Sequence, residues 1–396
     1  MSQEQDFQEI EEEYEAEENA KHDMRMRRMG EMPVGRLILT MSWPAMIAML
    51  IQAFYNIVDS FFVSMISEQA LAAVTYVFPI QMLLISIAIG TGVGINSLIS
   101  RRLGAKLYEE ADMAANHGYR LSFFNWMFFA LIGIFLTSPF MNLMSDTPFI
   151  VESGSSYMRI ITIGSLFCIV QMTSEKILQA TGNMIVPMIC GIIGGVSNII
   201  LDPLFIFGIG PFPELGVAGA ALATVIARYI EAFIIIVWAH SHTGQNLYLK
   251  GAYTGFGIPG EELKAIIVKG FPLMLNEVLW AAGMTAVTQC YSVRGLEVVA
   301  GLNIATTITN LFNIIYLQLG SCISIVVGQY LGAGELEEAK DADNKMIVFS
   351  VFCCVIVAGL MLVVGGFFPQ IYNTTEEIKA LATSFIAVSA MIMPFC

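Results

Sequence analysis

The stretch Leu103-Gly104-Ala105-Lys106-Leu107-Tyr108-Glu109-Glu110-Ala111 returns 228 positions later as Leu331-Gly332-Ala333-Gly334-Glu335-Leu336-Glu337-Glu338-Ala339. Both stretches close a longer repeat, in which residues 35–111 align without a gap with residues 263–339. Further identities at the same offset are Pro44 with Pro272, Ala72 with Ala300, and Gly92 with Gly320. Both copies are hydrophobic enough to lie in a membrane. A duplicated set of membrane helices is typical of secondary transporters, in which two similar bundles rock about a shared site.

The composition places the chain in a membrane. Of its 396 residues, 56% are hydrophobic and 13% are charged, whereas soluble domains are about 25% charged. The mean hydropathy is +0.70. Much of the net charge of −14 comes from residues 1–23, which hold ten acids and one lysine. Because residues 1–32 contain too little apolar material to fold, we expect them to form a disordered acidic tail.

Ten apolar segments are long enough to cross a bilayer, whose core of about 30 Å requires about 20 residues of helix. They are residues 36–64, 70–101, 117–140, 156–180, 184–208, 214–239, 263–291, 297–330, 344–368 and 377–396. The sequence therefore predicts an all-α polytopic membrane protein.

The repeat also predicts the domain organisation. Residues 33–240 form a first lobe of six helices, residues 241–262 form a cytoplasmic linker, and residues 263–396 form a second lobe. At the repeat offset, residue 396 corresponds to residue 168, which lies within the fourth helix of the first lobe. We therefore expect the second lobe to be truncated after about four of its six helices.

The distribution of lysine and arginine predicts the orientation. Alternate loops and their flanks hold 14 basic residues, whereas the opposite loops hold only Arg294 and Lys379. The positive-inside rule then places the N-terminus in the cytoplasm. Because the repeat spans six helices, an even number, both lobes insert the same way up, as parallel six-helix lobes.

Two acidic residues within apolar segments are the main candidates for function, because charges inside a bilayer are costly. Asp59 in the first segment and Asp202 in the fifth are predicted to lie at similar depth. Asn198 is one helical turn from Asp202, and Asn56 is three residues before Asp59. Such oxygen-rich groups can bind a proton or Na⁺. The alternative is that both acids make hydrogen bonds between helices or repair the helix near Pro203.

Other polar residues allow two interpretations. Arg228 and Glu231 have the i, i+3 spacing of a structural ion pair, although a role in gating or substrate binding is the alternative. Glu277, midway along the seventh segment, could attract a cationic substrate, relay a proton, or only bond to a neighbouring helix. The remaining candidates for lining a substrate cavity are Gln52, Asn56 and Trp280.

Several patterns have simpler explanations. Glu175-Lys176 lies near the end of the fourth segment, where snorkelling of the long side chains to the interface explains it. Gly90-Thr91-Gly92-Val93-Gly94 lies inside an apolar segment and indicates close helix packing. His240-Ser241-His242 lacks partners for a metal. The chain has no phosphate-binding Gly-x-x-x-x-Gly-Lys-Ser/Thr motif. We therefore expect no cofactor and no nucleic acid as a partner, and an ion gradient as the energy source.

Taken together, several short motifs resemble the MATE (multidrug and toxic compound extrusion) family, in its prokaryotic branch, over about residues 33–396. They are Trp43-Pro44, Val58-Asp59, Leu71-Ala72-Ala73-Val74, Leu103-Gly104-Ala105, Gln179-Ala180-Thr181-Gly182-Asn183, Asn198 to Pro203, Gly216 to Thr224, and Gly328 to Gly334.

The resemblance implies a V-shaped pair of six-helix lobes in a prokaryotic plasma membrane, exporting organic cations or drugs by Na⁺ or H⁺ antiport. It carries the ion-coupling role to Asp59, Asn198 and Asp202, with Thr224 as an additional ligand. Other branches have an essential glutamate eight residues after the seventh-helix proline, where this chain has Trp280, and Glu277 lies three residues earlier. We expect a monomer that contacts only small organic cations and membrane lipids.

Two other functions remain open at this level. A flippase for lipid-linked saccharides, from the same superfamily, would need several basic residues in its cavity. A membrane-embedded aspartyl protease would need Asp59 and Asp202 in direct contact, and neither lies in the Gly-x-Gly-Asp setting of such enzymes. The sequence therefore favours a transporter and not an enzyme.

Overall fold

The structure is a computed structural model that describes residues 34–241, 257–371 and 374–395. The described residues form helices joined by short connections, and no β-strand occurs among them. The predicted tail at residues 1–32 and most of the predicted linker at 241–262 lie outside the described residues. The prediction of an all-α polytopic membrane protein is confirmed.

The first predicted lobe contains eight helices, of which α4 is short. They are α1 (Val34–Ile66), α2 (Glu68–Gly104), α3 (Tyr108–Phe135), α4 (Thr137–Met144), α5 (Pro148–Ile163), α6 (Leu166–Ala180), α7 (Ile185–Phe207) and α8 (Val217–Ser241). The second contains α9 (Gly260–Ser292), α10 (Leu296–Ala333), α11 (Leu336–Phe367) and α12 (Glu376–Ile392). Each of the ten predicted segments overlaps a helix, except that the third extends from α3 into α4 and the fourth corresponds to the α5–α6 pair.

The fourth segment differs from its prediction as one straight helix. It begins earlier, at Pro148, and bends by 47° between α5 and α6. The break falls at Gly164 and Ser165, and the Ser165 hydroxyl donates a 2.7 Å hydrogen bond to the Thr162 carbonyl. A side chain thus bonds to a carbonyl beside the break, as is common where a helix ends or bends.

Seven of the described helices are long and apolar enough to cross a membrane, and the bent α5–α6 pair makes an eighth. The two predicted spans outside this set are α9 and α12. Helix α12 is 17 residues long, and α9 carries Glu261, Glu262, Lys264 and Lys269 in its first three turns. Within the described residues, length and composition thus identify up to eight of the ten spans that the sequence predicts.

The two copies of the repeat meet where α2 and α10 end, and we name this the contact end. Gly104 packs so closely on Gln329 that a methyl group at Gly104 would overlap the Gln329 carbonyl oxygen. Gly332 packs in the same way on the carbonyl oxygen of Arg101. Both pairs are related by the 228-residue offset, so the contact is nearly twofold symmetric.

Buried isoleucines extend the same symmetry. Ile38 of α1 and Ile266 of α9 are separated by the repeat offset, and both are fully buried. Ile38 packs in a cluster with Leu319 and Val326 of α10, whereas Ile266 packs in a cluster with Ile95 of α2. Each lobe therefore inserts the start of its first helix against the second helix of the other lobe.

Away from the contact end the lobes separate. Gly90 of α2 still contacts the Gly270 backbone of α9, but Leu279 and Trp280, further along α9, are exposed. Phe54 and Phe61 of α1 are also exposed. A groove of about 480 Å³ lies between α1 and α10 on this side. We name this side, toward the ends of α1 and α9, the open end.

Charged residues join the lobes at the contact end. Arg102 of α2 forms a short ion pair with Glu262 at the start of α9 and a 3.4 Å pair with Glu110 of α3. The ring of His117 lies 3.9 Å from Glu262, and Arg120 donates a 2.6 Å hydrogen bond to the Gly257 carbonyl. Glu262 therefore links the first lobe to the second.

We expect Glu262→Gln to destabilise the structure by about 2 kcal/mol, because the partly buried Arg102 guanidinium loses the negative charge of its partner and keeps only a neutral acceptor. Thermal unfolding of the purified protein measures this loss, with Glu261→Gln as the control, since Glu261 is exposed at the neighbouring position. The Arg102→Gln/Glu262→Gln double variant should lose less than the two single losses together. Equal losses for Glu261→Gln and Glu262→Gln would contradict the cross-lobe role.

Candidate functional site

A cavity of about 300 Å³ lies inside the first lobe, enclosed by α1, α2, α5, α6, α7 and α8. The wall from α1 extends from Ala48 to Ser60, and the wall from α2 extends from Val74 to Ile85. Its charged lining residues are Asp59, Glu175, Arg228 and Glu231. Three acids therefore face one base among the described residues of the lining.

Asp59 of α1 and Asp202 of α7 lie close enough for their charges to interact, as the sequence predicts from their matching depths. Asp202 is fully buried, and Asn198 is 1% exposed. The Asn198 side-chain amide donates a 3.2 Å hydrogen bond to Asp202 Oδ1, one helical turn away. The two segments thus bring three oxygen-bearing side chains to one place.

This place has unused hydrogen-bonding capacity. Asp59 Oδ1, Asn198 Oδ1 and Asp202 Oδ2 are buried without a hydrogen-bond partner among the described residues. Pro203 lacks the amide hydrogen that would bond to the Ile199 carbonyl within α7. Buried oxygens without partners are costly. The arrangement suits a proton or a hard cation, because hard cations prefer oxygen ligands.

Tyr157 of α5 is a neighbour of the site that the sequence analysis missed. It is 2% exposed, it lines the cavity, and it lies within electrostatic reach of both Asp59 and Asp202. A tyrosine in an apolar segment carries no signal in the sequence that distinguishes it from an ordinary core residue. Its hydroxyl adds a polar group beside the two carboxylates.

The other predicted site residues fall into two groups. Gln52, Asn56 and Thr224 line the same cavity as Asp59. Glu277 and Trp280 of α9 are not part of this lining, and Trp280 is 54% exposed on the other lobe. The structure therefore collects the first-lobe candidates and leaves the α9 candidates apart.

Arg228 and Glu231 form the ion pair that their spacing predicts. Arg228 Nη1 donates to Glu231 Oε2 at 2.6 Å, and Arg228 Nη2 donates to the Tyr55 hydroxyl. Glu231 is 1% exposed and packs on Gly194 of α7, where a methyl group would overlap it. The fit of Glu231 against a glycine supports a structural role for the pair.

Glu175 is not explained by snorkelling, which is what its position near the end of the fourth segment suggests. It lines the cavity and is half-buried. Its Oε1 accepts a 2.7 Å hydrogen bond from Gln179, and its Oε2 accepts a 3.4 Å hydrogen bond from Gln171. The ammonium of Lys176 donates instead to Gln179 Oε1 at 3.0 Å.

Duplicated helices, a cross-lobe contact at one end and a polar cavity deep in an apolar bundle are the features of a membrane transporter. The MatE family pattern matches residues 44–204 and 272–396. The chain therefore belongs to the MATE family, as its motifs indicate, and MATE family proteins are multi-pass membrane transporters, not enzymes.

Curated relatives share about a quarter of their residues with this chain. It is 24% identical over 364 residues to the FAD transporter of Shewanella oneidensis, which covers 90% of this chain and 78% of the relative. It is 25% identical over 365 residues to the multidrug export protein MepA of Staphylococcus aureus, with coverage of 90% and 78%.

A solved structure shares the fold. It is an outward-facing conformation of a multidrug resistance MATE family transporter of the MOP superfamily, with a TM-score of 0.81. That chain is 26% identical, and the match covers 93% of this chain and 82% of the other.

Proposed function

We propose that this protein exports organic cations or drugs by antiport with Na⁺ or H⁺. The observation that carries the proposal is the charge of the cavity lining, where Asp59, Glu175 and Glu231 face one base. That base, Arg228, is already paired with Glu231. The cavity therefore presents excess negative charge in a low-dielectric environment. The same charges attract cations more strongly there than they would in water.

The coupling ion binds, in this proposal, among Asp59, Asn198 and Asp202, with Thr224 as a further ligand. The unpartnered oxygens of the first three side chains support this assignment. An antiporter must release its ion when cargo binds or the protein changes state, since otherwise the two fluxes are not linked. No cofactor is needed, and a monomer suffices because the cavity lies within one lobe.

Cargo of opposite charge is the competing proposal. One relative is an FAD transporter, and a flippase for lipid-linked saccharides would also carry an anion. Both cargoes need basic residues, whereas the described cavity lining offers only the paired Arg228. The multidrug export proteins among the relatives support the export of drugs.

Efflux of a cationic dye from cells tests the proposal, with an imposed Na⁺ gradient, an imposed pH gradient, or neither. We expect efflux to depend on one of the two gradients. Gradient-driven movement of an anionic cargo, with none of the cationic dye, would refute the proposal.

We also propose that the N-terminus and the contact end face the cytoplasm, in the plasma membrane of a prokaryote. A cysteine at Ser241, which is exposed at the end of α8, should then resist an impermeant thiol reagent added to intact cells. A cysteine at Arg294, exposed between α9 and α10, should react. Both are measured in a background without native cysteines. The reverse labelling pattern would show that the N-terminus and the contact end face the outside of the cell.

A further inference from the structure

The cavity has two ends that carry different carboxylates. Its α1 wall, from Ala48 to Ser60, is about 18 Å long at a rise of about 1.5 Å per residue. Asp59 lies near the open end of this wall. At the contact end, Gly191 of α7 faces Ala48, and Glu175 and Glu231 both act electrostatically on the neighbouring Cys190. Glu175 therefore lies at the contact end, far from Asp59.

The same separation is seen along α7. Asp202 is twelve residues beyond Cys190, which corresponds to about 18 Å of helix. Asp59, which has Asp202 within electrostatic reach, and Glu175 thus line opposite ends of the cavity.

The Glu175 side chain is held in place by hydrogen bonds from its own helix. Both of its oxygens accept hydrogen bonds from glutamine amides, Gln179 on one side and Gln171 on the other, and both glutamines are buried. Helix α6 supplies all three side chains at i, i+4 spacing, so one face of one helix fixes the geometry.

The charge of Glu175 faces the cavity without a basic counterpart in the described lining. Arg228 is occupied by Glu231 and Tyr55, and the Lys176 ammonium bonds to Gln179. Glu231 adds like charge nearby. A bound cation would supply the missing counter-charge.

The surrounding wall suits a bulky apolar cation. Met49 of α1, Met82 of α2 and Met172 of α6 line the same cavity. Methionine is flexible and polarisable, so a wall of this kind adapts to cargoes of different shape. A carboxylate among adaptable apolar side chains matches an amphipathic organic cation.

We propose that Glu175 is the substrate-binding residue that holds the cationic group of the cargo, at the contact end of the cavity and apart from the coupling-ion site. This inference rests on the proposed export of organic cations and names the residue that recognises them. The glutamines Gln171 and Gln179 position the carboxylate, and the methionines contact the apolar part of the cargo.

Equilibrium binding of tetraphenylphosphonium to the purified full chain tests this role. We expect Glu175→Gln to weaken binding about tenfold or more, because it removes the charge while keeping a similar shape. Glu175→Asp keeps the charge and should stay within about threefold of the wild type. The matched control is Glu109→Gln, since Glu109 is exposed on α3 outside the cavity.

The outcomes separate the two proposals. Loss of binding in Glu175→Gln, with binding retained in Glu175→Asp and Glu109→Gln, supports the role of Glu175 in binding the cation. Wild-type affinity in Glu175→Gln overturns the role of Glu175 but does not contradict the proposed export of organic cations. If the wild-type protein binds no tetraphenylphosphonium, both the role of Glu175 and the export of organic cations are overturned. If Glu175→Gln lowers the unfolding temperature, the affinity of Glu175→Asp decides between a charge effect and a folding defect.

Discussion

Gly332→Ala should reduce transport about tenfold or more and lower the unfolding temperature, because its methyl group would overlap the Arg101 carbonyl oxygen. Backbone atoms cannot turn aside as a side chain can, so α2 and α10 must move apart. Overpacking of this kind costs about 1–3 kcal/mol, enough to change the balance of two conformations by about 5- to 150-fold. Dye efflux and thermal unfolding of the purified variant measure both effects.

Helix α10 supplies the matched control. Gly320 has no atom near the place where a methyl group would be added. Gly320→Ala should therefore leave stability unchanged or raise it slightly, since alanine favours helix more than glycine does. By symmetry, Gly104→Ala should resemble Gly332→Ala. If Gly332→Ala and Gly320→Ala behave alike, the glycine contact does not hold the lobes together.

Asp202→Asn should abolish gradient-driven efflux while leaving insertion and folding nearly intact. The substitution keeps the shape of the side chain and an oxygen that can accept the hydrogen bond from Asn198. It removes the charge that a coupling ion would neutralise. Efflux measured across imposed Na⁺ and pH gradients tests this, with Glu214→Gln as the control, because Glu214 is an exposed acid beyond the end of α7.

Asp59→Asn should have the same effect, and the double variant should be no worse than either single variant, because both acids act as one site. Transport by Asp202→Asn at the wild-type rate, with unchanged ion dependence, would place the ion site elsewhere. Glu277 would then be the leading candidate.

The sequence predicts the helices and the proximity of the two acids for clear physical reasons. Long apolar runs have few stable alternatives to membrane helices, and a carboxylate in such a run stands out from its surroundings. The depth of Asp59 and Asp202 follows from counting residues along helices of known rise. The bend at Gly164 is harder to predict, because glycine and serine also occur within unbroken membrane helices.

The direction in which a side chain points is less predictable. Glu175 is next to Lys176, so the sequence suggests that both reach the membrane surface together, whereas Glu175 lines the cavity. Adjacent residues on a helix point about 100° apart, and packing decides which of them faces the interior. The position of Tyr157 is hard to predict for a related reason, since its proximity to the carboxylates depends on where α5 lies.

Helices α1 and α2 belong both to the cavity and to the contact between the lobes. They form walls of the cavity, and they also pack on α10 and α9 of the other lobe. Thermodynamic linkage between cargo binding in the cavity and the arrangement of the lobes is reciprocal. A cargo that favours one arrangement of the lobes must, for the same reason, bind more tightly when the lobes are held in that arrangement. A cross-link or binding protein that clamps the contact end would therefore act as an effector of the cavity without touching it.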